Sequence, residues 1–183
     1  LKMDRPDPAE PGFNGGGLPL VSVYPKARDM TEAQSNWIKD YLNELADVLA
    51  GPNSNDPVHG YAKYIDVDSF VDDHILMTFS KDIDSHLLSV YMFKPRGGRL
   101  HMGPVWDFDR SLGSSDPETW SDVADLRAKG FWRAQLLDDP QFVESWGARW
   151  RQLRSGLFST ENLLAIIDGF ASEIDEAQVR DSE

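Results

Sequence analysis

The chain has 183 residues, of which 40% are apolar and 27% charged, and its 6 Trp, 5 Tyr and 9 Phe can anchor a real core. Its 18 basic and 31 acidic residues give a formal net charge of −13, which disfavours nucleic-acid and anionic-membrane partners. No apolar run is long enough for a membrane span, and the lack of Cys excludes disulfides, thiolate zinc sites and Cys nucleophiles. We therefore expect one globular domain, or one lobe of a larger one.

The first half of the chain predicts a loop followed by two helices. Residues 1–30 are rich in Pro and Gly, which predicts a connecting loop whose Gly run serves as a flexible linker. Within this loop we expect a short extended piece near Leu20–Tyr24, and Leu1–Asp4 is typical of the tail of a strand. Thr31 is a good N-cap, and the apolar spacing after it predicts a helix that ends at Gly51. A second helix, capped by Asp66 or Asp68, follows after a polar loop.

The second half predicts a β-hairpin and then helices. Two alternating runs, residues 88–93 and 99–102, are joined by Gly97-Gly98, and a Gly pair between such runs is typical of a tight hairpin turn. Helical periodicity follows near residues 118–129, 131–138, 140–155 and 160–179. We therefore expect an α+β fold that is mainly helical. Its predicted parts are the connecting loop, the helical lobe and the hairpin within that lobe: 1–30, 31–183 and 87–105.

Acidic residues are concentrated around the predicted hairpin. The chain has 22 Asp and only 9 Glu, and residues 66–109 hold eight Asp and no Glu. Four of these Asp flank the two ends of the hairpin: Asp82, Asp84, Asp107 and Asp109. Hairpin ends are adjacent in space, so the four carboxylates should converge and repel each other unless a cation lies between them. Short carboxylates suit Mg²⁺ or Ca²⁺, and a divalent metal is therefore the expected counter-charge.

The order of these features matches the arrangement in protein kinases. There, a helix leads to a loop with the catalytic Asp, and a short hairpin then leads to an Asp that holds Mg²⁺. The helix, Asp84, the hairpin and Asp107 follow in the same order. A calcium ion that only stabilises the hairpin would leave much the same pattern, so both interpretations stay open.

Longer motifs extend this pattern over almost the whole chain. The most specific is GPVWDFD at residues 103–109, and the others are at 24–26, 60–72, 80–85, 89–91, 97–102, 112–113, 131–132, 136–137, 139–142, 149–154 and 157–159. Together these motifs resemble the bacterial CotH kinase family, the spore-coat-type atypical protein kinases.

The resemblance implies a kinase-like fold, extracellular or at a cell or spore surface, that transfers the ATP γ-phosphate to Ser hydroxyls of surface or coat proteins. Its implied cofactors are ATP and Mg²⁺ or Mn²⁺, and its partner is a protein with a Ser acceptor. Matched by position, Asp84 resembles the catalytic Asp, Asp107 the metal-binding Asp and Asp109 a companion in the same loop. Asp82 and Ser89 are assigned to cofactor binding, although the family often has Asn at the first position and ordinary kinases have a metal-binding Asn at the second.

These departures leave a different class of function open, namely a catalytically silent kinase-like module that binds proteins at a surface. The chain also contains no phosphate-covering loop and no Lys–Glu pair of an N-terminal lobe in the positions that a kinase requires. The resemblance therefore implies a partial domain, the C-terminal lobe with the hairpin between its catalytic and metal-binding loops. We expect that the 183 residues alone do not phosphorylate a protein.

Overall fold

The structure is a computed structural model that describes residues 1–82, 85, 88–114 and 132–181. The chain divides into two compact units, Leu1–Glu144 and Ser145–Glu183. Its described strands are β1 (Lys2–Met3), β2 (Gly12–Gly15), β3 (Leu18–Val21), β4 (Val90–Phe93) and β5 (His101–Met102). Its described α-helices are α1 (Glu32–Ala50), α2 (Val67–Ser80), α3 (Arg133–Leu137), α4 (Pro140–Arg154) and α5 (Thr160–Asp181). The fold is therefore α+β, as predicted.

The described strands form one antiparallel sheet with the order β2-β3-β1-β4-β5. The short strand β1 lies at its centre, with Lys2 opposite Val21 on one side and Tyr91 on the other. Residues 1–30 thus supply three paired strands where the sequence predicted a connecting loop with extended chain only at Leu1–Asp4 and near Leu20–Tyr24. The period-2 signal is weak there because the strands have only two to four residues, and because β2 contains Gly and β3 contains Pro.

The Gly run predicted to be a flexible linker is a tight turn between β2 and β3. Gly16 has a φ of 61°, its N–H donates to Asn43 Oδ1 at 2.8 Å, and its carbonyl accepts from Trp132 Nε1 at 3.2 Å. A Cβ on Gly16 would lie 2.6 Å from the Leu42 carbonyl oxygen and 2.7 Å from Trp132 Cζ2. Glycine is therefore required here by both conformation and space.

The predicted start and end of helix α1 are confirmed. The Thr31 hydroxyl accepts from the Gln34 N–H while the Gln34 side chain accepts from the Thr31 N–H, which is a capping box. Gly51 ends the helix. The buried face repeats at helical spacing and consists of Ile38, Leu42, Leu45 and Leu49.

Helix α2 and the hairpin are held together at the helix start. Of the two predicted caps, it is the Asp66 carboxylate that accepts from the Ser69 N–H, at 3.0 Å. Leu100, just before β5, donates to the Tyr64 carbonyl and accepts from the Asp66 N–H, each at 2.8 Å. The Ser69 hydroxyl also accepts from the Met102 N–H at 3.2 Å. The hairpin is confirmed, with strands shorter than the alternating runs suggested.

Two buried polar contacts hold the later helices of the unit Leu1–Glu144. Arg133 on α3 pairs with Asp73 on α2 at 3.2 Å, and burial raises the pKa of Asp73 in spite of this partner. The Tyr61 hydroxyl donates to the Asp139 carboxylate at the start of α4. The helices predicted near 131–138, 140–155 and 160–179 are confirmed with small shifts of their ends, and the one predicted at 118–129 lies outside the described residues.

The unit Ser145–Glu183 contains the second part of α4 and the whole of α5. Trp146 and Trp150 stack with ring centroids 6.0 Å apart, and Phe158 packs edge-on against Trp150 at 6.4 Å. No helix in the described part of the chain combines the length and apolarity that a membrane crossing requires.

Candidate active site

The base of the hairpin brings two of the predicted site residues into contact. Ser89 lies directly before β4, and Asp107 follows β5 after a short loop. The Ser89 hydroxyl donates to Asp107 Oδ2 at 3.2 Å. Met92 on β4 pairs with Met102 on β5, so the two ends of the hairpin lie side by side, as the hairpin pattern predicted. This pairing brings Ser89 and Asp107 together although they are 18 positions apart in the chain.

The two loops at the hairpin base are conformationally strained. In the described residues, five non-Gly residues have a left-handed backbone: Lys81, Ser89, Asp107, Leu112 and Trp132. Ser89 and Asp107 have φ values of 59° and 66°. This conformation costs an L-residue about 1–2 kcal/mol, and strain of this kind is typical of functional sites. Four of the five residues lie in the loops that adjoin the hairpin base.

The loop after Asp107 is tied to the end of α2. The Leu112 N–H donates to the buried Ser80 carbonyl at 2.7 Å, and Ser111, also buried, donates its N–H to the Phe108 carbonyl at 3.0 Å. Since Ser80 is the last residue of α2, this bond connects the Asp107 loop to the segment that the sequence predicts to be catalytic.

An aromatic pair supports the approach to Asp107. The Tyr91 ring packs edge-on against Trp106 with centroids 6.3 Å apart, and the Gly103 N–H donates to the Tyr91 carbonyl at 2.8 Å. The residue directly before Asp107 is thus held against β4, while the Asp107 carboxylate itself is exposed.

The other predicted site residues differ in their surroundings. Asp82 is 1% exposed, donates its N–H to the Met77 carbonyl at 3.2 Å, and its carbonyl accepts from the Ser85 hydroxyl at 2.9 Å. Asp109 is exposed, and its carbonyl accepts from a Ser hydroxyl five positions later. Asp84 lies outside the described residues, so the expected convergence of its carboxylate with that of Asp107 stays a prediction.

The donor atoms at the hairpin base suit a magnesium ion that is shared with a ligand. Ser89 and Asp107 offer a hydroxyl and a carboxylate oxygen, and Mg²⁺ in phosphate-transfer sites takes one or two carboxylates together with water and phosphate oxygens. Within the described ranges, no group of three or more His, Cys, Asp or Glu could hold a metal ion.

The family model described as CotH kinase protein matches residues 21–183. The chain belongs to the CotH kinase family. Neither a curated protein nor a solved structure matches the chain. The match supports a kinase-like function at the level of the family, and a kinase in general uses ATP and a divalent metal.

This CotH chain also has a groove that the sequence did not predict. The groove has a volume of about 1210 Å³ and lies between residues 22–25, the first turns of α1, and the strand β4 with its following turn. The Lys94 ammonium lies over the Trp37 and Tyr41 rings at 4.9 and 4.5 Å, and desolvation lowers its pKa. A basic hairpin turn was visible in the sequence, but its aromatic partners are on α1, more than 50 positions away.

Proposed function

We propose that this chain is the C-terminal lobe of a CotH-type protein kinase. It would transfer the ATP γ-phosphate to Ser hydroxyls of proteins outside the cell or at a cell or spore surface. The observation that carries the proposal is the Ser89–Asp107 hydrogen bond, made by two left-handed residues at the base of the hairpin. Family membership supports the phosphoryl-transfer class.

Each predicted site residue has a role in this proposal. The Asp84 carboxylate orients the acceptor Ser hydroxyl and takes its proton. The hydroxyl oxygen bonds to the γ-phosphorus while the bond from that phosphorus to the β–γ bridging oxygen breaks, and ADP leaves. The Asp107 carboxylate and the Ser89 hydroxyl hold Mg²⁺ or Mn²⁺, with Asp109 as a companion in the same loop. When bound there, the metal would neutralise charge on the ATP phosphates. Asp82 is buried, so its part in cofactor binding is to hold in place the segment between α2 and the hairpin.

Metal binding to the 183-residue chain tests the proposal directly. Binding of Mn²⁺ in the presence of ATP is followed by the loss of the free-ion electron paramagnetic resonance signal. We expect Asp107→Asn to weaken Mn²⁺ binding by about tenfold or more. Asp47→Asn makes the same chemical change at an exposed position of α1 and should leave binding unchanged. Equal Mn²⁺ affinity of the Asp107→Asn chain and the parent would remove Asp107 from the site.

Phosphoryl transfer is tested in the full protein that carries these residues. Radiolabelled ATP and a Ser-rich acceptor protein should give label on Ser, and both Asp84→Asn and Asp107→Asn should abolish it. Metal and nucleotide binding without any transfer would favour the catalytically silent module instead.

A further inference from the structure

The groove beside the hairpin is lined by exposed aromatic side chains. Tyr24, Trp37 and Phe93 line it and are 91%, 55% and 49% exposed. Exposed large aromatic side chains that share one concave surface mark an interaction site more often than a bare surface does. Its volume of about 1210 Å³ is larger than that of most small-molecule pockets, which have roughly 300–1,000 Å³. We call this surface the aromatic groove.

The charge of the aromatic groove is opposite to that of the chain. The chain carries a net charge of −13, yet none of the described residues that line the groove is Asp or Glu. Lys94 and Arg96 line it, and Arg99 follows in the same turn. A local positive surface on an acidic protein selects an anionic partner and steers its approach.

The groove wall is also held in place before a partner arrives. Lys94 reaches over the Trp37 and Tyr41 rings of α1, and its ammonium donates to the Gly98 carbonyl at 2.6 Å. These contacts join the hairpin turn to α1, so less side-chain freedom is lost when a ligand binds. Arg96 is exposed in this turn and can contact a ligand.

We propose that the aromatic groove is a docking site for an extended, acidic segment of a partner protein. Aromatic or aliphatic side chains of that segment pack against Trp37 and Phe93, and its carboxylates pair with Arg96 and Lys94. A nucleotide is also anionic and aromatic, but the groove volume of about 1210 Å³ favours a larger ligand such as a polypeptide segment. The docking site goes beyond the proposed phosphoryl transfer, because a module without catalytic activity would bind the same segment.

The test measures the fluorescence anisotropy of labelled peptides added to the 183-residue chain. The probe is a short peptide in which Glu alternates with Phe, and its matched control carries Lys in place of every Glu. We expect the acidic peptide to bind and the basic peptide not to bind. Trp37→Ala should weaken binding by about tenfold or more, since it removes a central aromatic contact.

Charge is tested with a matched pair of variants. Arg96→Glu should weaken binding of the acidic peptide by about fivefold, whereas Arg5→Glu, which makes the same charge change at another exposed position, should change it by less than about twofold. Arg96 is in an exposed turn, so this variant keeps the test decisive even if Trp37→Ala does not fold.

Four outcomes would overturn the proposal: no binding of the acidic peptide, equal binding of the basic peptide, equal effects of Arg96→Glu and Arg5→Glu, or displacement of the peptide by adenosine. The last result would identify the groove as a nucleotide site. None of these outcomes affects the Mn²⁺ test at Asp107, so failure of the docking site is distinguishable from failure of the proposed kinase function.

Discussion

Ser89 donates a hydrogen bond to Asp107 across 3.2 Å, and both residues have a left-handed backbone. One precedes the hairpin and the other follows it, so the bond closes the hairpin at its base. Glycine would adopt this backbone without strain, yet the two positions are occupied by Ser and Asp, whose side-chain oxygens can bind a metal ion. The chain thus retains side-chain oxygens where backbone stability alone would favour Gly.

Replacing Ser89 with Gly should separate stability from metal binding. Ser89→Gly relieves the left-handed strain, so the free energy of unfolding should stay the same or rise by up to about 1 kcal/mol. Mn²⁺ affinity in the presence of ATP should fall by about tenfold, because a hydroxyl that holds Asp107 is lost. Urea unfolding and electron paramagnetic resonance measure the two effects.

Ser89→Ala is the control for this experiment. It removes the same hydroxyl but keeps a side chain at a φ of 59°, so it should lose Mn²⁺ affinity without gaining stability. Undiminished affinity in both variants would show that Ser89 neither binds the metal nor positions Asp107.

The local elements of the fold were predictable because their signals lie within a few residues. The capping box at Thr31, the cap at Asp66 and the Gly97-Gly98 turn each depend on neighbours in the sequence. In residues 1–30 the sequence indicated extended chain at Leu1–Asp4 and near Leu20–Tyr24, but β2 and the pairing of the three strands were missed, because β1 has two residues and is stabilised by partners on β3 and β4. Pairing over such distances leaves no periodic pattern in the sequence.

The sequence singled out candidate site residues, whose roles stay predictions, but it did not report their surroundings. Asp spacing and the hairpin signal predicted that Asp82 and Asp84 converge with Asp107 and Asp109, whereas Ser89 was assigned from its position in the kinase pattern. The structure brings Ser89 and Asp107 into contact. Their left-handed backbone could not be predicted, because Ser and Asp occur in many loop conformations. The burial of Asp82 depends on tertiary packing, which no local pattern reports. The aromatic groove needs α1 and the hairpin turn side by side, which likewise depends on the tertiary fold.

The turn at Gly16 provides a test of the β2–β3 structure. Gly16→Ala should lower the free energy of unfolding by about 3 kcal/mol or more, because the new Cβ meets the Leu42 carbonyl and the Trp132 ring at less than 3 Å. Gly17→Ala is the matched control. Gly17 has a φ of 79° but open space around its Cβ position, so only the strain of about 1 kcal/mol applies. Equal losses in thermal unfolding would contradict the close approach to α1.

Alkaline pH should unfold the chain partly through Tyr61. Burial, followed by the hydrogen bond to Asp139, raises the pKa of Tyr61 above its ordinary value of 10.0. The folded state therefore holds the phenolic proton more tightly than the unfolded state does. This contribution to stability is fully present below pH 10.0 and is lost progressively as the pH rises beyond it.

Tyr61→Phe should remove that part of the pH dependence and lower stability at neutral pH by about 1–3 kcal/mol, since Asp139 loses a buried donor. Tyr24→Phe changes a Tyr that is 91% exposed and should have neither effect. Urea unfolding between neutral and alkaline pH measures both variants. A Tyr61→Phe chain that loses stability above pH 10.0 as steeply as the parent would rule out Tyr61 as the titrating group.

Removing one member of the buried Asp73–Arg133 pair should lower the free energy of unfolding far more than replacing both members with apolar residues. Burial raises the pKa of Asp73 although Arg133 lies 3.2 Å away, so the attraction to Arg133 does not fully offset the desolvation of the Asp73 carboxylate. Asp73→Asn alone should lower the free energy of unfolding by about 3 kcal/mol, because Arg133 stays buried after losing this carboxylate. The double variant Asp73→Leu with Arg133→Met removes both charges at similar volume and should recover most of that loss. Urea unfolding of Asp73→Leu, Arg133→Met and the double variant measures the coupling between the two positions. Additive losses, with no recovery in the double variant, would show that the two side chains contribute independently.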